Sequence, residues 1–349
     1  MDEKFAENCK VKTGIFRNAA GGLNYYCSYI PKNPIANVVI CHGFCEFAEK
    51  YDEVVEAFLK KGYAVYLPEH RGHGYSQREC SDWDKVYIRS YDDYVQDLYC
   101  FIQRKIVLKQ RKTFLFAHSM GGAIGAIFLE KYPTIFDAAV FSAPMFGIRT
   151  GKCPQPIAHL IARMACLVGQ GTAYAAGQHG FDGKEDFKNS SCTSEESYQR
   201  IFKLRNECVA YQTYGGTYQW LLAGILATKQ LLKRKNMKKI RIPVLIFQAE
   251  WDHMVKNRAH LKFLIGTRQT SLLRIEGSKH EIFHAGEAQR EVYYEQMFSF
   301  WDEQLREETA VMTEPFLEWQ EKNDRVITRK VWKRNETKIN ETRKILDLI

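Results

Sequence analysis

No stretch of this 349-residue chain stays apolar for the ~20 residues that cross a bilayer; the longest runs, such as LLAGILA (Leu221–Ala227), fall far short. A spanning helix is therefore not expected. The first ten residues, MDEKFAENCK, carry acidic side chains and no apolar segment, so a secretory signal is not expected either. Ten cysteines lie between Cys9 and Cys208 without paired or Cys-x-x-Cys spacing. That excludes a recognisable disulfide or zinc-ribbon framework, and reduced, mostly buried thiols in a cytosol are expected. Internal repeats and low-complexity segments are missing too. Negative charge falls short of positive, leaving a net +9. The excess gathers in KQLLKRKNMKKIR (Lys229–Arg241) and in the C-terminal tail, but neither interleaves aromatic residues as single-strand binders do. No nucleic-acid partner is expected. A solvated basic face accounts for these runs, with weak attraction to an anionic membrane as the second reading.

The chain is 45% hydrophobic, enough for a large core. Short β-branched runs alternate with helical spacing. Ala36–Phe44 reads as a buried strand ending in a glycine turn. Lys50–Gly62 reads as a helix with Tyr51, Val54, Val55 and Phe58 on one face. Strands follow at Tyr63–His70, Thr113–Ser119 and Phe136–Pro144, and helices at Ser90–Val107 and Met120–Pro133. The rhythm breaks after Pro144 and resumes at Ile242–Glu250, with a further strand from Thr270 and a closing helix over Gly286–Leu305. Such alternation predicts an α/β fold with a mostly parallel sheet flanked by helices. The expected organisation is a first core half at 1–144, a helical cap insertion at 145–238, a second core half at 239–305 and a charged helical tail at 306–349.

One short segment carries the chemistry. Ala117-His118-Ser119-Met120-Gly121 places a serine where a strand meets a helix, and a sharp turn there holds a nucleophile exposed above a sheet. Residues two before and two after the serine must be small; Gly121 lacks a Cβ and Ala117 adds one methyl. The competing explanation is a serine that merely caps a helix. A serine hydroxyl needs a base oriented by an acid, in the chain order Ser, acid, His. Asp252 lies just past one strand and His280 just past the next, so both fall at the sheet edge where Ser119 emerges. Glu250 is the nearest competitor for the acid. For the oxyanion, the backbone N–H groups of Met120 and of Phe44, in CHGFCE, are the expected donors, with His42 and Gly43 shaping the turn. His280–His284 (HEIFH) also matches a zinc-peptidase pattern with Glu281 as base. That reading explains five residues, whereas the serine reading explains three separate motifs, so no metal is expected. His70 and His73, in EHRGH, fit a glycine-rich turn.

These segments resemble a known family. Val38–Ser76, Ala117–Ile124 and Gly277–Ile282 are similar to the monoacylglycerol lipase and lysophospholipase branch of the α/β-hydrolases. Ala143–Ile148, Gly215–Leu221 and Gln248–His260 bring the bacterial lysophospholipases associated with the inner membrane closest. The resemblance covers about residues 10–305, while the tail has no counterpart in the family pattern. It implies Ser119 as nucleophile, Asp252 as acid, His280 as base, and Phe44 and Met120 as oxyanion donors, with no cofactor. The implied reaction is hydrolysis of a single-chain lipid ester, a lysophospholipid ahead of a monoacylglycerol. Thioesterase, other carboxylesterase or aminopeptidase activity, a non-catalytic binding protein of the same fold, and a zinc peptidase are the rivals. Apolar residues of the insertion, Met145, Phe146 and Trp220 among them, are candidate acyl contacts, and Arg149 and Lys152 either meet a phosphate or stay solvated. The implied location is the cytoplasm, with peripheral contact at the inner face of the membrane. Val326, Ile327, Val331 and Trp332 fit a solvated helix packed on its own domain or a neighbour and, as the second reading, an amphipathic helix on an anionic membrane. Oligomeric state is left open.

Overall fold

A computed structural model describes residues 9–106 and 110–310. Internal contacts group Met1–Trp301 into one unit and Asp302–Ile349 into a second, and every residue of the site below belongs to the first. The tail residues from Val326 onward lie outside the described residues.

Strands β1 (Cys9–Arg17), β2 (Leu23–Pro31), β3 (Asn37–Cys41), β4 (Ala64–Pro68), β6 (Thr113–His118), β7 (Ala138–Ser142), β9 (Val244–Trp251) and β10 (Thr270–Lys279) build one sheet in the order β1-β2-β4-β3-β6-β7-β9-β10. Only β2 runs against its neighbours. β3, β4, β6 and β7 are buried at every position. Their unbroken apolar runs are what a strand covered on both faces requires. Helices α1 (Asp52–Lys60), α2 (Tyr91–Lys105), α3 (Met120–Lys131), α8 (Asn257–Gly266) and α9 (Glu287–Ala310) supply that cover. Ser90 starts α2 with a reciprocal capping box to Asp93. On one face Trp301 packs against Phe58, Tyr63 and Phe114. This is the α/β-hydrolase fold.

Between β7 and β9 the chain leaves the sheet and forms α4 (Gln155–Leu167), α5 (Glu195–Glu207), α6 (Tyr218–Leu231) and the single turn α7 (Arg234–Met237). The insertion is less helical than its pattern predicts. Residues 168–194 contain no helix, and Gly169, Gly177 and Gly183 take positive φ there. A short parallel pair, β5 (Lys85–Val86) with β8 (Gly215–Gly216), ties the insertion to the core. All ten cysteines are free, but only Cys27, Cys41, Cys45 and Cys192 are buried, so the expectation of mostly buried thiols is too broad.

Candidate active site

β6 runs straight into α3, and Ser119 sits at the joint with φ 50° and ψ −118°. Few non-glycine residues tolerate that conformation, so the surroundings must impose it. The Ser119 carbonyl accepts from the Gly122 and Met145 N–H groups at 2.9 and 2.8 Å. A Cβ at Gly121 would lie 2.0 Å from the Cys41 carbonyl oxygen, so only glycine lets the helix pass that close to β3. Ser119 stands at the N-cap position of α3, yet its hydroxyl makes no cap bond. Instead Oγ lies 2.8 Å from His280 Nε2.

The other side of that imidazole completes a line. His280 Nδ1 lies 2.7 Å from Asp252 Oδ2, while Asp252 Oδ1 accepts from the Met254 and Val255 N–H groups at 2.8 and 2.9 Å. Burial would raise the Asp252 carboxyl. The His280 charge and hydrogen bond, with the two backbone donors, overcome it and hold the group down at about 2. With Asp252 an acceptor, Nδ1 carries the proton and Nε2 is left to accept from Ser119. A register irregularity in β10 between Ile275 and Lys279, with Gly277 at φ 72°, turns the chain so that His280 faces inward. Glu250 is occupied elsewhere: it accepts from Arg274 at 2.6 Å and from the Gly277 N–H at 2.8 Å. It braces the histidine loop rather than reaching His280.

Of the expected oxyanion donors, Met120 opens α3 directly after Ser119, and Phe44, in the turn after β3, lines the same cavity as Ser119. Among the described residues neither N–H has an acceptor, the state a donor waiting for a substrate oxygen requires. The turn before Phe44 is fixed from behind. His42 Nε2 accepts from the His70 N–H at 2.8 Å, which puts the proton on Nδ1 for the Gly43 carbonyl, also at 2.8 Å. Burial holds His42 neutral, its pKa lowered to about 4.

Sequence reasoning missed what lies under this turn. The Glu46 carboxylate accepts from the Gly43 N–H at 2.5 Å and from the Tyr51 hydroxyl at 2.6 Å. Lys50 Nζ bridges Glu46 and Glu281, 2.8 Å from each. Glu281 in turn holds His284 Nδ1 at 3.0 Å. This buried chain links the oxyanion turn to the loop carrying His280. The i,i+4 spacing of Glu46 and Lys50 was readable. The third member, 231 positions beyond Lys50, was not.

Above Ser119 lies a cavity of about 350 Å³, lined by Phe44, Met145, Ile148, Ile161, Trp220 and Leu221 among others. The Trp220 ring lies tilted against Phe44, ring centres 4.2 Å apart. Met145 and Trp220 thus reach the cavity as expected, but Phe146 does not. It points into the core, where it stacks on Phe263 at 4.3 Å and meets His260. The Met145 N–H bond to the Ser119 carbonyl holds Met145 against the elbow, while the Phe146 N–H turns back to the Pro144 carbonyl at 2.8 Å and its ring goes into the core.

A family model described as serine aminopeptidase, S33, matches residues 32–287. The chain belongs to this family. Lysophospholipase L2 of Escherichia coli K12 is 32% identical over 277 residues, covering 76% of this chain and 80% of that one. The probable lysophospholipase L2 of Haemophilus influenzae is 30% identical over 247 residues, 70% and 77% of the two chains. Among solved structures, a soluble variant of monoglyceride lipase from Saccharomyces cerevisiae superposes with a TM-score of 0.66 at 18% identity, over 84% of this chain and 95% of that one.

Within this S33 chain the two histidines of HEIFH serve different partners. His280 has both ring nitrogens engaged by Asp252 and Ser119, while His284, on a single 3-10 turn, bonds Glu281. They do not share a helix face, so the zinc-peptidase spacing is coincidental. His70 and His73 are buried around a turn in which Gly72 and Gly74 take positive φ.

Proposed function

We propose that the chain hydrolyses the acyl ester of a single-chain lipid, a lysophospholipid in preference to a monoacylglycerol, through an acyl-enzyme on Ser119. The observation that carries this reading is the unbroken line Asp252–His280–Ser119 at the floor of a largely apolar cavity. His280 Nε2 takes the Ser119 proton as Oγ attacks the ester carbonyl. The oxyanion rests on the Phe44 and Met120 N–H groups, and His280 then protonates the departing alcohol. Water, deprotonated by the same imidazole, releases the fatty acid. Asp252 holds the imidazole tautomer and balances its charge. The side chains supply every proton transfer, so the mechanism calls on no cofactor. Met145 and Trp220 contact the acyl chain. In this reading 1–144 and 239–305 form the core and 145–238 the cap. The lysophospholipase names of the 32% and 30% identical relatives support the choice of head group.

We also propose peripheral membrane contact through α4. Leu160 and Leu167 are 58% and 70% exposed there, beside Ile157 and Met164, on an element whose Ala158 and Ile161 border the cavity. An apolar face of this kind at a cavity mouth suits a lipid surface. No helix among the described residues is long and apolar enough to cross one.

The test is fatty-acid release from a lysophospholipid and from the monoacylglycerol with the same acyl chain, with Ser119→Ala as blank. Release from both that disappears in the variant is expected. Release that outlives Ser119→Ala, or none from either lipid, overturns the reading.

A further inference from the structure

We infer that a phosphate subsite flanks the reacting ester, in a second cavity where Arg149, Lys152, Lys256 and His253 take the phosphate of a single-chain phospholipid. The inference rests on the acyl-ester reading and names what that site selects.

This second cavity, of about 500 Å³, is walled by Arg149–Gln155 on one side and by His253 and Lys256 on the other. It shares Arg149, Thr150, Gly151 and Cys153 with the cavity that opens onto Ser119, so the two spaces meet along one wall. Three of its nine lining residues are cations, a fourth is His253, whose imidazole is held below its ordinary value by partial desolvation and which meets an anion as an N–H donor, and none is acidic. Among the described residues no carboxylate lies within ion-pair distance of Arg149, Lys152 or Lys256. Arg149, Lys152 and His253 are exposed and Lys256 is half-buried, so these side chains line an open groove that a lipid head group can enter from solvent. Unmatched positive charge gathered in a concave wall attracts an anion.

The cations are tied to the catalytic loop. Ile148 bridges to Val255, the Arg149 N–H donates to the Met254 carbonyl at 3.2 Å, and Arg149 Nε donates to the Val255 carbonyl at 3.0 Å. The Lys256 N–H donates to the Gly147 carbonyl, and its Nζ reaches Gln155 Oε1 at 3.1 Å. Met254 and Val255 are the residues whose N–H groups hold Asp252, and His253 directly follows it. The anion wall and the catalytic acid therefore share one short, cross-braced loop. With Nε anchored, the planar guanidinium offers its terminal nitrogens to an oxyanion in the paired geometry that suits phosphate. The chemistry of the lipid fits this layout. In a lysophospholipid the ester oxygen and the phosphorus are separated by the glycerol carbons and one oxygen, roughly 6 Å when extended. A carbonyl at Ser119 with its acyl chain among Trp220, Ile161 and Leu221 can thus send its phosphate over the shared wall. A monoacylglycerol brings only hydroxyls there and gains nothing from the charge.

The experiment compares kcat/KM for 1-palmitoyl lysophosphatidylglycerol and 1-palmitoylglycerol in detergent micelles, and reads their ratio. The double variant Lys152→Gln/Lys256→Gln leaves the Arg149 anchor in place. Its ratio is expected to fall about tenfold, the scale of one to two charge-assisted contacts. Lys152→Arg/Lys256→Arg restores the charge and is expected to bring the ratio back within about twofold of wild type. An unchanged ratio in the glutamine variant overturns the inference. So does a fall that the arginine variant fails to recover, which is structural damage rather than lost charge. Titration calorimetry with inorganic phosphate separates the sources: phosphate binding that the glutamine variant loses while the ratio stands still assigns the cations to a free anion and not to a lipid. No release from either lipid by the wild type, or release that survives Ser119→Ala, marks failure of the ester-hydrolase reading itself, and the inference falls with it.

Discussion

Gly121 is the residue at which the elbow has least latitude. A Cβ there meets the Cys41 and His42 carbonyl oxygens at 2.0 and 2.5 Å, backbone atoms of the strand that carries the oxyanion turn. Gly121→Ala is expected to cost more than about 3 kcal/mol of stability and to abolish ester hydrolysis, read by denaturant unfolding and turnover. Ala117, where a glycine is usual, has a different environment. It lies inside β6 outside the positive-φ residues, and its methyl faces Gly125, which gives it room. Ala117→Gly therefore gains nothing: a loss of about 1 kcal/mol is expected from added backbone freedom. The strand-serine-helix signature was legible because sterics confine it to five adjacent residues. Glu46 was not, because its partners Gly43, Tyr51 and Lys50 matter only through the loop they brace. Glu46→Gln keeps the shape but removes the charge that Lys50 and the Gly43 N–H both use. A fall in kcat of about tenfold or more, with a smaller change in KM, is expected, since a misplaced oxyanion donor is felt in the transition state. A change confined to KM in steady-state kinetics would remove Glu46 from that role.

At the scale of elements, legibility followed burial. β3, β4, β6 and β7 are covered on both faces, so their sequences are continuous apolar runs and were read to within a few residues. The β1–β2 hairpin was not read. As the edge strand, β1 exposes Val11 and Ile15, and its alternation is too weak to mark a face. α8 was missed for the opposite reason: it turns a histidine, His260, into the core and leaves Leu261 and Ile265 outside. His260 Nε2–H donates to the Pro144 carbonyl at 2.7 Å while Nδ1 accepts from Gln248. A periodicity that counts histidine as polar cannot find such a helix. In α4 the exposed apolar face is no accident of packing if it meets a lipid surface. Leu160→Ser/Leu167→Ser is expected to lower hydrolysis of vesicle-borne substrate at least about fivefold more than hydrolysis of a dissolved short-chain ester, through lost apolar burial. Equal losses on both substrates, or none on vesicles, would remove the membrane from the role of α4.

At the scale of the whole molecule, the buried charges and imidazoles decide how the fold answers to pH. Burial, ahead of every other influence, lowers His42, His118 and His260 to about 4, and drives His70 and His73 well down as well. These side chains come from β6, α8 and the turns after β3 and β4, so their effect belongs to the assembled sheet edge. In the unfolded chain each imidazole takes a proton near pH 6.5, whereas in the folded protein it resists until about 4 or below. Between those limits the unfolded state binds more protons, so stability rises with pH and falls on acidification through that window. Each imidazole held at about 4 is worth up to about 3 kcal/mol by this linkage, and several together exceed an ordinary folding free energy. Glu69 and Glu130, raised to about 8 by burial, offset part of this because they hold protons in the fold above the ordinary carboxyl range, but the five imidazoles outnumber them, and the lowered carboxyls act only at lower pH. Asp252 and Glu46, both at about 2 in the fold, give a contribution that is fully present above the ordinary carboxyl range and is lost only as pH falls towards 2. Unfolding is therefore expected to set in between pH 6.5 and 4, with the uptake of several protons, in urea melts at stepped pH. His118→Gln should flatten that slope by about one proton if the effect arises where these side chains sit. A free energy of unfolding that stays level from pH 7 to 4.5 would mean that the imidazoles find their protons without opening the fold.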